Sequence, residues 1–216
     1  MDIEIAREQM IDQQIRAWDV LQPRVLRILG EVPRERFVPE AWASLAFADT
    51  EIPLAHGENM MAPKVEGRLL QALEIEPGDR VLEVGTGTGF LTACLAHLGE
   101  HVVSVDCYSD FVATAGDRLR EMEVLNTELL TMDAMRELPA GEFDAIAVTG
   151  SVSRFAQHFA DALAIDGRLF LVVGEAPVME ALLITRTGEK EWSRESLFET
   201  VLKPLRNATP PPEFRF

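Results

Sequence analysis

The chain has 216 residues, of which 47% are hydrophobic and 26% are charged. This composition is typical of a globular domain long enough to bury a sizeable core. The 20 basic and 36 acidic residues give a formal net charge of −16, so nucleic acid and anionic membrane surfaces are poor partners. No apolar run reaches the ~20 residues needed to span a bilayer. The first segment, MDIEIAREQM, lacks the features of a secretory signal, so we expect a cytoplasmic protein.

Cysteine and histidine usage predicts neither disulfides nor a metal. Cys94 and Cys107 do not form a disulfide framework, and buried thiols in a reducing compartment are the simplest interpretation. The four histidines show no metal-ligand spacing. No surface pattern distinguishes a monomer from a dimer.

The N-terminal part, residues 1–48, is predicted to be helical. Its apolar residues recur at helical spacing, at Ile3, Met10, Ile11, Ile15, Trp18, Val25, Leu26 and Leu29. Residues 47–63 lose this periodicity, and a loop of that length in a compact domain is more often functional than idle. A further amphipathic helix is predicted over residues 65–73.

The centre of the chain alternates between strands and helices. Strands are predicted at 80–85, 101–106, 128–133, 144–149 and 168–174, and helices at 90–98, 109–122 and 153–163. This alternation predicts an α/β fold with a parallel, doubly wound sheet and right-handed crossovers.

Two more strands, 181–187 and 197–202, are predicted as a C-terminal antiparallel addition, joined by a polar turn at 188–190. We expect one domain over residues 1–216. It consists of a helical cap with a long loop (1–78), a ligand-binding α/β core (79–205) and an extended, proline-rich tail (206–216).

A glycine-rich loop, Gly85-Thr86-Gly87-Thr88-Gly89, follows the first central strand. Glycines let the backbone turn sharply and approach a ligand at the carboxyl edge of such a sheet. Glu83 precedes the loop, Asp106 ends the next strand and Asp133 ends the third. A carboxylate at Asp106 is suited to the two hydroxyls of a ribose, and one at Asp133 to the exocyclic amine of a purine. The three acids together indicate a nucleoside site.

The spacing of the glycines distinguishes between two cofactors that contain a nucleoside, NAD and S-adenosylmethionine. A dinucleotide fingerprint requires Gly-x-Gly-x-x-Gly, whereas here the third glycine is Gly89 and Phe90 follows it. Acids around the pocket favour a cationic ligand without phosphate. S-adenosylmethionine (SAM), with its sulfonium and α-amino groups, therefore fits better than NAD. The structural alternative is a tight strand–helix turn with solvated acids.

These residues and the N-terminal half resemble the protein-L-isoaspartate O-methyltransferase family. The similar segments are residues 14–16 (QIR), 24–26 (RVL), 32–39 (VPRERFVP), 47–49 (FAD), 81–90 (VLEVGTGTGF), 144–149 (DAIAVT) and 202–205 (LKPL). The resemblance covers about residues 8–205. It implies a Rossmann-like SAM-dependent methyltransferase with a helical N-terminal region over the pocket. Known members methylate the abnormal aspartyl carboxylate that marks damaged proteins, which begins their repair.

The resemblance also implies the cofactor-binding residues. They are Glu83, Gly85, Thr86, Gly87 and Gly89 around the loop, Asp106 at the ribose, Asp133 near the adenine, and Thr149 after the fourth strand.

The substrate loop departs from the family. Between Gly57 and Pro63 the family typically has Gln-Thr-Ile-Ser and one variable residue, whereas this chain has Glu-Asn-Met-Met-Ala. Met61 stands where the family serine hydroxyl meets the substrate carboxylate, and it cannot donate a hydrogen bond. Glu58 adds a negative charge that opposes an anionic substrate. The candidates to restore a donor are His56, Asn59 and Ser151.

Three functions remain open from the sequence. The chain is an isoaspartyl methyltransferase acting on protein or peptide, a SAM-dependent methyltransferase for a less polar acceptor such as a small molecule, or a non-catalytic SAM-binding protein. Met60 and Met61 are either two adaptable apolar residues closing a loop over the core or a remodelled acceptor pocket.

Overall fold

The computed structural model describes residues 2–208. Its N-terminal part is helical, as the sequence predicts: α1 (Ile3–Met10), α2 (Pro23–Glu31) and α3 (Pro63–Leu73) alternate with shorter helical turns at Ile11–Ile15, Arg16–Trp18, Arg34–Arg36 and Glu40–Leu45. The predicted loop contains a small antiparallel hairpin of β1 (Ile52–Pro53) and β2 (Asn59–Met60), with a helical turn at Ala55–Gly57 between them. None of the helices within residues 2–208 is long and apolar enough to cross a membrane.

Within residues 2–208, the central sheet has seven strands and three associated helices. The strands are β3 (Arg80–Val84), β4 (His101–Asp106), β5 (Thr127–Thr131), β6 (Phe143–Val152), β7 (Leu163–Glu175), β8 (Val178–Gly188) and β9 (Glu191–Glu199). The helices are α4 (Phe90–Leu98), α5 (Ser109–Glu121) and α6 (Gln157–Asp161). The strand order is β5-β4-β3-β6-β7-β8-β9. Strands β3 to β7 pair in parallel, whereas β8 and β9 are antiparallel additions.

The sheet buries both of its faces, which confirms the doubly wound prediction. Successive side chains of a strand point to opposite faces. Val81 packs with the N-terminal helices and α4 in one apolar cluster, whereas Leu82 packs with Phe159 of α6 in the other. Strand order reverses between β3 and β6, and ligands bind in such folds at the carboxyl ends of the strands beside that point.

Several predicted elements differ from the structure, and the strands predicted at 168–174 and 181–187 are the longer β7 and β8. The helix predicted over residues 153–163 is shorter in the structure: α6 spans only Gln157–Asp161. It cannot extend to residue 163 because Leu163 already belongs to β7. The last strand is displaced: β9 begins at Glu191 and ends at Glu199, because it pairs with β8 across a two-residue turn while exposing most of its side chains. The third central strand, β5, ends at Thr131, so Asp133 lies in the following loop. Of the predicted tail, residues 209–216 lie outside the described residues.

A buried arginine connects the N-terminal region to the core. Arg34 is only 1% exposed, and its Nη1 forms an ion pair with Glu66 of α3. Its Nε donates to the carbonyl of Ala46 at 2.9 Å, and its Nη2 donates to the carbonyl of Met61 at 2.7 Å. The guanidinium lies 4.7 Å from the ring centroid of Phe90 in α4. One side chain therefore fixes α3, the substrate loop and the segment before β1 relative to one another.

Replacing Arg34 by methionine should strongly destabilise the protein. The Arg34→Met variant leaves Glu66 buried without its cation and two carbonyls without a donor, so we expect a loss of about 3–5 kcal/mol in unfolding free energy by urea titration. Arg36→Met is the matched control, because Arg36 forms an exposed ion pair with Glu121 at 3.3 Å and should lose less than about 1 kcal/mol. Equal losses in the two variants would contradict the role assigned to Arg34.

Candidate functional site

A cleft of about 710 Å³ opens at the carboxyl ends of β3, β4 and β6 and extends to the loop after β5. We call it the central cleft. Among the residues that line it are five of the predicted cofactor residues: Gly85, Gly87, Asp106, Asp133 and Thr149. The structure thus brings together side chains and backbone from β3, β4 and β6 and from the loop after β5.

The glycine loop turns tightly against β6. Gly85, Gly87 and Gly89 all have positive φ angles, of 98°, 49° and 86°. A Cβ atom on Gly85 would lie 2.1 Å from Oγ1 of Thr149, and one on Gly89 would lie 2.9 Å from Cβ of Ala115. Both the backbone conformation and the available space therefore require glycine. Gly89 does not line the cleft; it allows α4 to begin close to α5.

Asp106 is fixed by backbone donors at the floor of the central cleft. Its Oδ2 accepts from the amide of Gly87 at 2.9 Å, and its Oδ1 accepts from the amide of Tyr108 at 3.0 Å. Burial raises the pKa of Asp106, and these two hydrogen bonds oppose the rise. Each carboxylate oxygen retains acceptor capacity for a further donor. A diol such as that of a ribose matches this arrangement.

Asp133 is already engaged by neighbouring side chains. Its Oδ2 accepts from Nδ2 of Asn207 at 2.8 Å and lies 3.1 Å from Nε of Arg136. Its Oδ1 accepts from the amide of Met135 at 3.1 Å. Asp133 therefore ties the chain beyond β9 to the loop after β5, in addition to lining the cleft.

Glu83 and Thr86 face an adjoining small cleft of about 310 Å³. Oε2 of Glu83 accepts from Oγ of Ser104 at 2.6 Å and from Oγ1 of Thr92, whereas its Oε1 is buried with no hydrogen-bond partner among the described residues. Oγ1 of Thr86 is 2.6 Å from the same Ser104 hydroxyl. Burial is the main cause that raises the pKa of Glu83, to about 8.

Two of the three catalytic candidates, Asn59 and Met61, line the small cleft, whereas His56 lines neither cleft. Met61 is 5% exposed, packs in the core and lines the small cleft. Nδ2 of Asn59 donates to Oε2 of Glu51 at 2.8 Å, and Asn59 lines both clefts. His56 lies on the rim, where its Nε2 is 2.9 Å from Oδ2 of Asp110 and its ring stacks on Tyr108 with centroids 4.0 Å apart. His56 is therefore separate from the other two candidates, and its role as a donor to the substrate stays a prediction.

Ser151, the remaining donor candidate, has a structural partner. It is fully buried, and its Oγ donates to the carbonyl of Leu202 at 2.8 Å. The segment it holds, residues 201–208, is named the C-terminal strap here. The hydroxyl of Ser151 is thus used to attach the strap.

Sequence reasoning missed two groups that line the central cleft. Tyr108 and Phe111 form an aromatic wall, with ring centroids 5.5 Å apart. The position of Tyr108, two residues after Asp106, was the available signal. Lys203 and Arg206 bring the strap's positive charge to an acidic cleft. No local pattern indicates that role, because it depends on contacts with residues far away in the chain.

Comparison with known proteins settles the family. Residues 5–208 match the sequence model of the family described as protein-L-isoaspartate(D-aspartate) O-methyltransferase. The chain belongs to this family. A protein-L-isoaspartate O-methyltransferase of Aeromonas hydrophila is 36% identical over 199 residues, covering 92% of this chain and 94% of the relative. One of Rhodopseudomonas palustris is 33% identical over 201 residues, covering 92% of each.

A solved structure that is described by the same family name shares the fold. A Plasmodium falciparum protein described as a protein-L-isoaspartate O-methyltransferase was crystallised with S-adenosyl-L-homocysteine. It superimposes with a TM-score of 0.79 at 21% identity, covering 93% of this chain and 98% of that one. The Rossmann-like methyltransferase fold predicted from the sequence is therefore confirmed.

The raised pKa of Glu83 predicts a pH-dependent stability. Between its ordinary value of 4.5 and about 8 in the folded protein, the folded state holds a proton that the unfolded state releases. Stability should therefore fall as pH rises through this window. Glu66 contributes in the same direction, because burial raises its pKa to about 7.

Urea midpoints of the wild-type protein, Glu83→Gln and Glu100→Gln across this pH window test the assignment. Glu83→Gln should lose less stability than the wild type as pH rises, because its side chain does not titrate. Glu100→Gln, which changes an exposed carboxylate, should follow the wild-type slope. A Glu83→Gln slope equal to that of the wild type would exclude Glu83 as the titrating group.

Proposed function

We propose that this chain is a SAM-dependent methyltransferase that transfers a methyl group to the free carboxylate of isoaspartyl residues in proteins or peptides. One observation carries the proposal: the family match extends over residues 5–208, so it includes the N-terminal helices and the substrate loop as well as the nucleoside-binding core. In this proposal the protein acts in protein repair in the cytoplasm. Its two free cysteines are compatible with a reducing compartment.

The residues of the clefts fit the cofactor. Asp106 offers two oxygens to a ribose, and the apolar surface beside it is suited to a purine; it is formed by Tyr108, Phe111, Met132 and Met135. Oε1 of Glu83, buried without a partner in the described part of the chain, is suited to a donor such as the α-amino group. When bound, SAM supplies a methyl carbon made electrophilic by its sulfonium.

The chain's contribution to this chemistry is orientation and exclusion of water. A carboxylate is ionised at neutral pH, so no general base is needed. One carboxylate oxygen forms a bond to the methyl carbon, the carbon–sulfur bond breaks, and the electron pair stays on sulfur. No proton moves. The rate therefore depends on holding the carboxylate in line with that bond in a site shielded from water.

The domain organisation follows from the same proposal. We infer a single methyltransferase domain in which residues 1–78 cap the core formed by residues 79–205. Residues of α2, α3 and the substrate loop share one apolar cluster with β3 and α4, which supports a cap packed as part of the domain. The alternatives of a less polar acceptor or of binding without catalysis rested on Met61, whose side chain is buried in this cluster.

The first test is transfer of labelled methyl from SAM to an isoaspartyl peptide. The matched aspartyl peptide is the control, and cofactor binding is measured by calorimetry on the same sample. We expect label on the isoaspartyl peptide alone. Cofactor binding without transfer to this peptide would refute the proposal and favour a different acceptor or a non-catalytic protein.

A second test examines Asp106. Both carboxylate oxygens of Asp106 accept hydrogen bonds from the backbone, and Asp106→Asn replaces one of them with an amide group that donates. Binding of S-adenosylhomocysteine should therefore weaken about 10- to 100-fold, which is the effect of losing a hydrogen bond to a charged group. Asp110→Asn removes a neighbouring exposed carboxylate that does not line the central cleft, and should bind normally. Unchanged affinity in Asp106→Asn by calorimetry would exclude Asp106 from cofactor binding.

A further inference from the structure

The C-terminal strap lies between the central cleft and a second concave surface. This second surface, which we call the apolar groove, has a volume of about 1290 Å³ and is lined by residues including Met179, Val201 and Leu202. The central cleft and the apolar groove share three lining residues: Asn59, Lys203 and Pro204. These three residues therefore form the boundary between the central cleft and the apolar groove, and an acceptor that enters from the groove has to reach this boundary.

The backbone of the strap is held firmly at this boundary. The amide of Ser151 donates to the carbonyl of Lys203 at 2.9 Å, and the amide of Leu205 donates to the carbonyl of Ser151 at 2.9 Å. Gly150 allows this close approach, since a Cβ atom there would lie 2.7 Å from Cδ2 of Leu205. The base of the Lys203 side chain is thus fixed while its long side chain extends toward the hairpin of β1 and β2.

Lys203 is the basic residue that is common to the two surfaces within residues 2–208. In the described part of the chain, the central cleft is lined by Lys203 and Arg206, whereas the apolar groove is lined by Lys203. Its Nζ donates to the carbonyl of Gly57 and lies 3.7 Å from Oε2 of Glu58. The side chain remains 41% exposed, so it is free to exchange these partners. Opposite charge at this range favours the ionised form of a carboxylate.

An anionic acceptor otherwise meets a cluster of negative charge. Among the described residues, the carboxylates that line the two surfaces are Glu51, Glu58, Asp106, Asp133 and Glu175. A carboxylate taken out of water without donors is strongly disfavoured. Glu58 is the nearest of these acids to Lys203, and it also accepts from the hydroxyl of Tyr108 at 3.4 Å. Glu58 therefore keeps an alternative donor when Lys203 leaves it.

We propose that Lys203 binds the substrate carboxylate at this boundary. Lys203 then gives up its contacts with Glu58 and with the carbonyl of Gly57 and pairs with the substrate carboxylate instead. The side-chain amide of Asn59 is the second donor. This inference rests on the proposed isoaspartyl activity and assigns to Lys203 the donor role that Met61 cannot fill. In this proposal Lys203 forms an ion pair with the substrate carboxylate before methyl transfer, when that carboxylate is ionised. After transfer the methyl ester carries no charge, so Lys203 returns to Glu58 and the product is released.

The test compares Lys203→Met, Lys203→Arg and Lys190→Met in methyl transfer to an isoaspartyl peptide. Lys203→Met should raise KM for the peptide about 10- to 100-fold, because a hydrogen bond to a charged group is lost. Lys203→Arg should retain most of the activity, since its cation can still reach the carboxylate. Lys190→Met, in the exposed turn between β8 and β9, removes the same charge and should match the wild type. Affinity for S-adenosylhomocysteine should stay unchanged in all three.

Two further measurements separate substrate binding from attachment of the strap. Glu58→Gln removes the carboxylate that competes for Lys203 and should lower KM for the peptide. If the ion pair between Lys203 and Glu58 only attached the strap, Glu58→Gln would impair activity as Lys203→Met does. Added salt should raise KM in the wild type and have much less effect in Lys203→Met, because screening acts on the charge pair.

These experiments distinguish failure of the proposed function from failure of the role assigned to Lys203. A wild-type protein that binds S-adenosylhomocysteine but does not methylate the isoaspartyl peptide overturns the proposed function and this inference together. If the wild type is active and Lys203→Met has the same kcat/KM, only the role of Lys203 is overturned. Loss of activity in Lys203→Met with equally weakened cofactor binding also overturns it, because the residue then supports the cleft as a whole.

Discussion

The need to satisfy one buried guanidinium constrains the substrate side of this molecule. Arg34 has no access to water, so its donors require protein acceptors, and a buried cation that lacks them is strongly destabilising. The acceptors come from three separate segments: the carbonyl of Ala46, the carbonyl of Met61 and the carboxylate of Glu66. Because the backbone at Met61 is held in this way while its side chain packs in the core, position 61 acts as a structural residue in this chain.

The site has to accommodate a cation and an anion side by side. A cationic cofactor is favoured by the acids around the glycine loop, yet those acids oppose the carboxylate that accepts the methyl group. Position relieves part of the conflict, because Glu83 lines the small cleft and neither the central cleft nor the apolar groove. The remaining negative charge nearest the boundary, at Glu58, lies within 3.7 Å of Lys203. The formal charge of −16 therefore overstates the negative field that an acceptor meets at this point.

The sequence predicts most reliably what local pattern determines. The helix at Phe90–Leu98 and the strand at His101–Asp106 have the predicted bounds, because alternation of buried strands and helices with glycine turns is a local signal. The gathering of Asp106 and Thr149 at one edge also follows, since parallel strands share their carboxyl ends. The course of β9 was misjudged because its exposed side chains hide the pairing. The partner of Ser151 could not be predicted, because it lies about fifty positions further along the chain.

A motif comparison of the substrate loop alone leaves out the contribution of the C-terminal strap. Compared with the family pattern, Glu58 and Met61 both disfavour an anionic acceptor, and they suggest a lost activity when taken by themselves. The structure adds a contribution from the opposite end of the chain: Ser151 anchors the C-terminal strap, and the strap carries Lys203 to the carbonyl of Gly57 and the carboxylate of Glu58. A charge introduced in the loop and the charge that balances it are thus separated by more than 140 residues but adjacent in space. The loop and the strap have to be evaluated as one unit, because the electrostatic environment of the acceptor depends on both.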